Sequence, residues 1–146
     1  MNAFILFLIG IAAGSMITVQ SVLNSALGAR TGNLGSVLIL TIVSIILLVG
    51  LIFLFPGTAE FKNTPGFAEW YLYAGGLLGV VILAAPIFLI PRIGATSTLT
   101  AIVIGQLGLA LLIDQFGLFG FPRIDINLAR VAGLTLLVAG AFLIQQ

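Results

Sequence analysis

The chain has 146 residues, of which five are Lys or Arg and four are Asp or Glu, for a net charge of +1. Hydrophobic residues make up 61% and the mean hydropathy is +1.33. A charged fraction of 6%, against about 25% in an average soluble domain, cannot supply a solvated surface. That excludes a soluble enzyme, a nucleic-acid-binding domain and a disordered tail. With no Cys and no His, disulfides, zinc or iron–sulfur sites and His or Cys catalysis are also excluded, and no metal or cofactor is expected. An integral membrane protein remains.

Residues 1–29, 31–59, 70–91 and 93–113 carry no charge, and Arg130 is the last charged residue. A helix crosses the hydrocarbon core with about 20 apolar residues at about 1.5 Å each. The sequence therefore predicts an all-α, polytopic bundle of five transmembrane helices, at about 3–27, 34–55, 68–90, 94–114 and 126–145, in a single transmembrane domain spanning 1–146. The fifth needs Arg130 to snorkel to the interface. The apolar runs are continuous, not alternating, which disfavours β-barrel strands.

The first helix opens Met-Asn-Ala-Phe, without the positive charge of a secretory leader. It carries Ser15, Thr18, Gln20, Ser21, Asn24 and Ser25. Gln20 and Asn24 lie about 40° apart around the axis, with Gly14, Thr18, Ser21, Ser25 and Gly28 beside them. Such a face points at protein or at a cavity. Packing with interhelical hydrogen bonds is one reading of it and a substrate cavity is the other.

Beyond the second helix, Trp70, Tyr71 and Tyr73 fit an interfacial anchor at the start of the third. Gly75, Gly76 and Gly79 mark a close-packing face, and Pro86 and Pro91 are expected to end or kink that helix. Arg92 is expected in the loop that follows, because an Arg at mid-bilayer costs about 2.5–3.5 kcal/mol. The fourth helix has hydroxyls early (Thr96, Ser97, Thr98, Thr100), Gln106 in mid-span and Asp114 at its close. The hydroxyls can cap the helix, and Asp114 is either an interfacial carboxylate or an acid at a cavity mouth. Residues 116–122 read as a turn. Gly133 and Gly140 lie seven apart on the fifth helix, a packing seam within one subunit or between two.

Orientation is not decided by charge. One side receives Arg30 and Arg92, the other Lys62, Arg123 and Arg130, so the Lys/Arg excess that sets topology is nearly absent. Either other features set the orientation, or the chain inserts both ways and opposite copies pair.

Two stretches resemble a known family. The run Gly94-Ala-Thr-Ser-Thr, Gly105-Gln106-Leu107 and Ile113-Asp114-Gln115-Phe116-Gly117 is similar to the fourth-helix signature of YdcZ-like proteins. Gln20-Ser-Val-Leu-Asn24-Ser-Ala-Leu-Gly28 is similar to their first-helix signature. The resemblance implies a bacterial inner-membrane exporter of the drug/metabolite transporter superfamily, here half of a ten-helix inverted-repeat fold. It implies pairing, as a homodimer or with a half-size homologue, through a glycine pattern such as Gly133 and Gly140. Relatives in the superfamily carry a Glu in the first helix where this chain has Gln20 and Asn24.

The expected function is alternating-access transport of a small metabolite or drug-like solute by a dimer, antiparallel in the inverted-repeat form. The substrate-cavity candidates are Gln20, Asn24, Thr98, Gln106 and Asp114, and the packing or dimer candidates are Gly75, Gly79, Gly133 and Gly140. Expected partners are membrane lipid, the second half and a small-molecule substrate, and no nucleic acid. Two other classes fit the same composition: a small dual-topology ion channel, and a non-transporting subunit of a larger membrane complex.

Overall fold

The computed structural model describes residues 2–144. Five α-helices follow in chain order: α1 (Ala3–Thr31), α2 (Asn33–Leu54), α3 (Ala74–Ile93), α4 (Ala95–Phe116) and α5 (Leu128–Ile144). No strand occurs among the described residues. Counting the helical turns that lead into α3, four of these segments are long and apolar enough to cross a membrane, while α5 is an apolar helix of 17 residues. The chain divides into two compact units, Met1–Pro91 and Arg92–Gln146.

In the first unit, α1 and α2 form a helical hairpin around one residue, Gly32, whose φ of 76° is strained for any residue with a Cβ. The Gly32 N–H closes α1 on the Gly28 carbonyl at 2.9 Å, and the Gly32 carbonyl accepts from Ser36 N at 3.0 Å to open α2. Arg30 lies in the last turn of α1, where its charge complements the helix dipole.

The packed stripe of α1 is Ser21, Asn24, Ser25 and Gly28, all buried and at the i, i+3, i+4, i+7 spacing of one helix face. It is small and polar, whereas Leu6, Phe7, Met16, Val19 and Leu23 on the same helix are exposed. That inversion suits hydrocarbon as solvent. Lipid tails exert no hydrophobic drive between helices, so contact is made where small side chains let backbones approach. Gly28 is the tightest point. A Cβ built there would overlap the Cγ2 methyl of Ile87 on α3 and lie 3.4 Å from Ser36 Oγ on α2. Three helices thus meet around one missing side chain.

The third span differs from its expected form. It begins as 3-10 turns over Phe67–Tyr73, with Glu69 out of helical conformation, and turns α-helical only at Ala74. Tyr73 donates its hydroxyl to the Pro65 carbonyl at 2.6 Å, while Trp70 stays exposed. Pro86 and Pro91 do not end the helix, which runs through both to Ile93. In a membrane, neighbouring helices and local adjustment can satisfy the carbonyls that such prolines free. Arg92 accordingly lies in the last helical turn and not in a loop.

In the second unit, α4 continues two residues past Asp114 and stops at Gly117, which is left-handed at φ 59° and ψ 40°. A Cβ there would sit 3.1 Å from the Phe121 carbonyl oxygen. The expected turn over 116–122 contains a 3-10 turn, Leu118–Gly120, and Phe119 holds a positive φ of 58°. The fifth helix begins at Leu128, not 126, because Asn127 caps it through a side-chain bond from Arg130 N at 2.9 Å.

One register recurs that the hydropathy reading missed. Arg30-Thr-Gly32 is followed at the fourth position by Ser36, and Arg92-Ile-Gly94 by Thr98. Gly94 repeats the Gly32 conformation, with φ 80° and ψ 162°. Its carbonyl accepts from Thr98 N at 3.2 Å, as that of Gly32 does from Ser36. Ser36 and Thr98 are both fully buried.

Candidate functional site

The α1–α2 hairpin carries a groove of about 680 Å³ lined by Ala12, Ser15, Met16, Val19, Gln20, Leu23, Asn24 and Leu40. Its size suits a small-molecule site, for which about 300–1,000 Å³ is usual. Two of the sequence candidates, Gln20 and Asn24, are brought together here because residues one helical turn apart share a face. They sit differently. Asn24 is 4% exposed, whereas Gln20 is exposed. Ser15 spends its hydroxyl on its own helix, donating to the Ile11 carbonyl at 3.1 Å. Among the described residues, nothing hydrogen-bonds the side-chain amide of Asn24 or Gln20. Each amide offers two N–H donors and a carbonyl acceptor. No charged residue lines the groove.

The fourth-helix candidates are scattered. Thr98 is fully buried, and its Oγ1 has no hydrogen-bond partner among the described residues. The early hydroxyls do not cap α4, whose N-cap is Gly94 without a side-chain bond. Thr100 donates instead to the Thr96 carbonyl at 2.8 Å. Gln106 is exposed, and no described residue bonds its amide.

Asp114 lies with Arg130 in a groove of about 350 Å³ between α4 and α5, lined also by Leu107, Leu111, Gly133 and Leu137. Asp114 Oδ2 accepts from Arg130 Nη1 at 3.0 Å, with both side chains about one-third exposed. The Asp114 carbonyl accepts from Ile124 N at 2.8 Å, and Gln115 Oε1 from Ile126 N at 2.6 Å. Asp114 and its neighbour thus tie the end of α4 to the start of α5.

At this exposure the pair contributes about 1 kcal/mol or less. Arg130→Ala should lower the stability of the purified protein by about that amount in a thermal melt. The exchange of both residues, Asp114→Arg with Arg130→Asp, should restore most of the loss. A double variant no better than the single one would remove the ion pair from the account.

Of the glycine candidates, Gly133 lines the Asp114 groove and Gly140 lines a second one of about 360 Å³, with Leu99, Thr100 and Val103. A Cβ on Gly75, Gly79, Gly133 or Gly140 would meet nothing within 4 Å. Among the described residues none of the four makes the close helix contact their spacing suggests. The glycine that does is Gly28. Its signal in the sequence is the small-residue stripe of α1.

The family model described as "Putative inner membrane exporter, YdcZ" matches residues 5–143. The chain is 30% identical over 137 residues to the inner membrane protein YdcZ of Escherichia coli, which covers 93% of this chain and 91% of that protein. No solved structure matches it.

Proposed function

This chain belongs to the YdcZ family of inner membrane exporters, and from that premise we propose that it moves a small metabolite or drug-like solute by alternating access, as one half of a dimer. The observation that carries the proposal is the α1–α2 groove, where two amides with spare hydrogen bonds line an otherwise apolar surface. An amide moved out of water without a partner costs roughly 2–7 kcal/mol. Such groups are retained in a span where a ligand or a neighbouring chain completes them.

The second half follows from the same cost. Gln20 and Gln106 are exposed on the single chain, as are Gly75 and Gly133. A second copy, or a related half, that covers these faces takes the amides out of contact with acyl chains and uses the glycines for close approach. Paired in opposite orientations, two halves form the inverted repeat that alternating access employs.

The test is counterflow in proteoliposomes across a panel of radiolabelled small metabolites and drugs. The expected result is saturable exchange of at least one of them. Gln20→Leu and Gln106→Leu should each lower it about tenfold or more while the purified variants stay monodisperse. Passive, non-saturating flux would indicate a channel. Unchanged exchange in both variants would remove these residues from the pathway.

A further inference from the structure

We propose that the α1–α2 groove selects an uncharged amphiphile: an apolar chain or ring bearing one hydrogen-bonding head, such as a carboxamide, lying with the head between Gln20 and Asn24. The inference rests on the exporter reading and deepens it by naming the class of substrate.

Three observations lead there. The first is Asn24, a residue 4% exposed on the groove wall whose amide no described residue hydrogen-bonds. An amide with open valences inside a membrane is completed by a ligand that both donates and accepts. The second is spacing. Gln20 stands four residues before Asn24 on the same face, about 6 Å along the helix, so the two can bracket one small head and no more. The third is charge. The remaining lining is Ala12, Met16, Val19, Leu23 and Leu40, with the Ser15 hydroxyl already engaged by its own helix. An ionic head placed there would be desolvated without a counter-charge. The nearest charged residue along α1 is Arg30, six residues beyond Asn24 and about 9 Å further along the axis, in the exposed last turn.

The chain supplies its own probe. Its two methionines are Met1 and Met16, and Met16 lines the groove. The full-length protein, labelled with carbon-13 at the methionine methyls and held in lipid nanodiscs, is titrated with hexanamide, hexylammonium and hexanoate. These share a tail and differ in the charge of the head. Met16→Leu assigns the signal.

Hexanamide should shift the Met16 methyl saturably, with at least tenfold tighter apparent affinity than either ion. Asn24→Asp should reverse the order in favour of hexylammonium, and Asn24→Leu should abolish the preference. Three equal, non-saturating shifts would mean that the groove takes up tails as a lipid acyl chain would, and would overturn the proposal. Preference for hexanoate would overturn it too, by showing that Arg30 governs the site. Absence of any Met16 shift would overturn it as well. The exporter reading is judged separately, by counterflow in the wild-type protein, so failure of the head-group preference with counterflow intact sinks only the substrate class.

Discussion

Gly28→Ala should destabilise the protein by about 1–3 kcal/mol, the usual cost of adding a methylene-sized group to a packed site. The added Cβ would overlap the Cγ2 methyl of Ile87, which is 2% exposed and cannot move into open space. Rotating that methyl away is also costly, because a β-branched side chain in a helix has one strongly preferred rotamer. Alanine gains up to about 1 kcal/mol over glycine in helix propensity, which offsets part of the clash. Gly28→Val gains less of that offset and adds two more methyls, so it should leave little folded protein. Thermal melts in detergent read the loss. Trimming the partner separates the causes: Ile87→Ala in the Gly28→Ala background should recover stability relative to Ile87→Ala alone. If Gly28→Ala melts at or above the wild-type temperature, the three-helix contact is not where the first unit is held together.

Asn24→Leu should lower transport about 5- to 30-fold. Leucine keeps the branched outline of asparagine, with the same number of side-chain heavy atoms but more bulk, and removes its hydrogen bonds. One to two bonds in a low-dielectric site contribute about 1–2 kcal/mol between them. At 1.4 kcal/mol per decade, that is the range given. No described residue depends on the Asn24 amide, but the site is packed and leucine is the bulkier side chain, so folded yield is measured beside transport. The ratio of exchange rate to folded yield, measured in proteoliposomes, is the quantity to compare. Equal exchange by wild type and variant would reduce Asn24 to a packing residue.

Much of the architecture was readable from charge placement. The spacing of charges located the four long apolar segments, the third at Phe67–Ile93, and the shorter fifth helix to within a few residues; what it left out is the form of the third segment's start. There the run of aromatics hid a stretch of 3-10 turns that delays the α-helix to Ala74. Hydropathy could not see this, because it depends on which residues are present and not on whether they wind as an α- or a 3-10 helix. Of the two outcomes expected at the prolines, an end or a kink, the end does not occur: α3 continues through Pro86 and Pro91 to Ile93.

The arrangement of the candidate residues was legible in part. The shared face of Gln20 and Asn24 follows from helical geometry alone, and both line one groove. Which of the two is buried does not follow, since four residues along α1 separate the exposed part of the helix from the packed one. Asp114 had two readings at the end of its span, and its partner Arg130 was placed only by the turn that Gly117 makes possible. The repeat of Arg-x-Gly with a hydroxyl four residues later was in plain view, yet it became meaningful only when Ser36 and Thr98 proved to be the most deeply buried hydroxyls.

From the string of residues alone came the solvent, the number of helices and the polar side of α1. These depend on composition and on the 100° step of a helix, which need no knowledge of neighbours. Only the tertiary structure decided that Gly28 is the contact point, that Asn24 is enclosed while Gln20 and Gln106 stay outward, and that Asp114 is paired. Those outcomes depend on how each helix is rotated against the next. In hydrocarbon that rotation is set by a few small side chains and hydrogen bonds, with no broad apolar stripe to announce it.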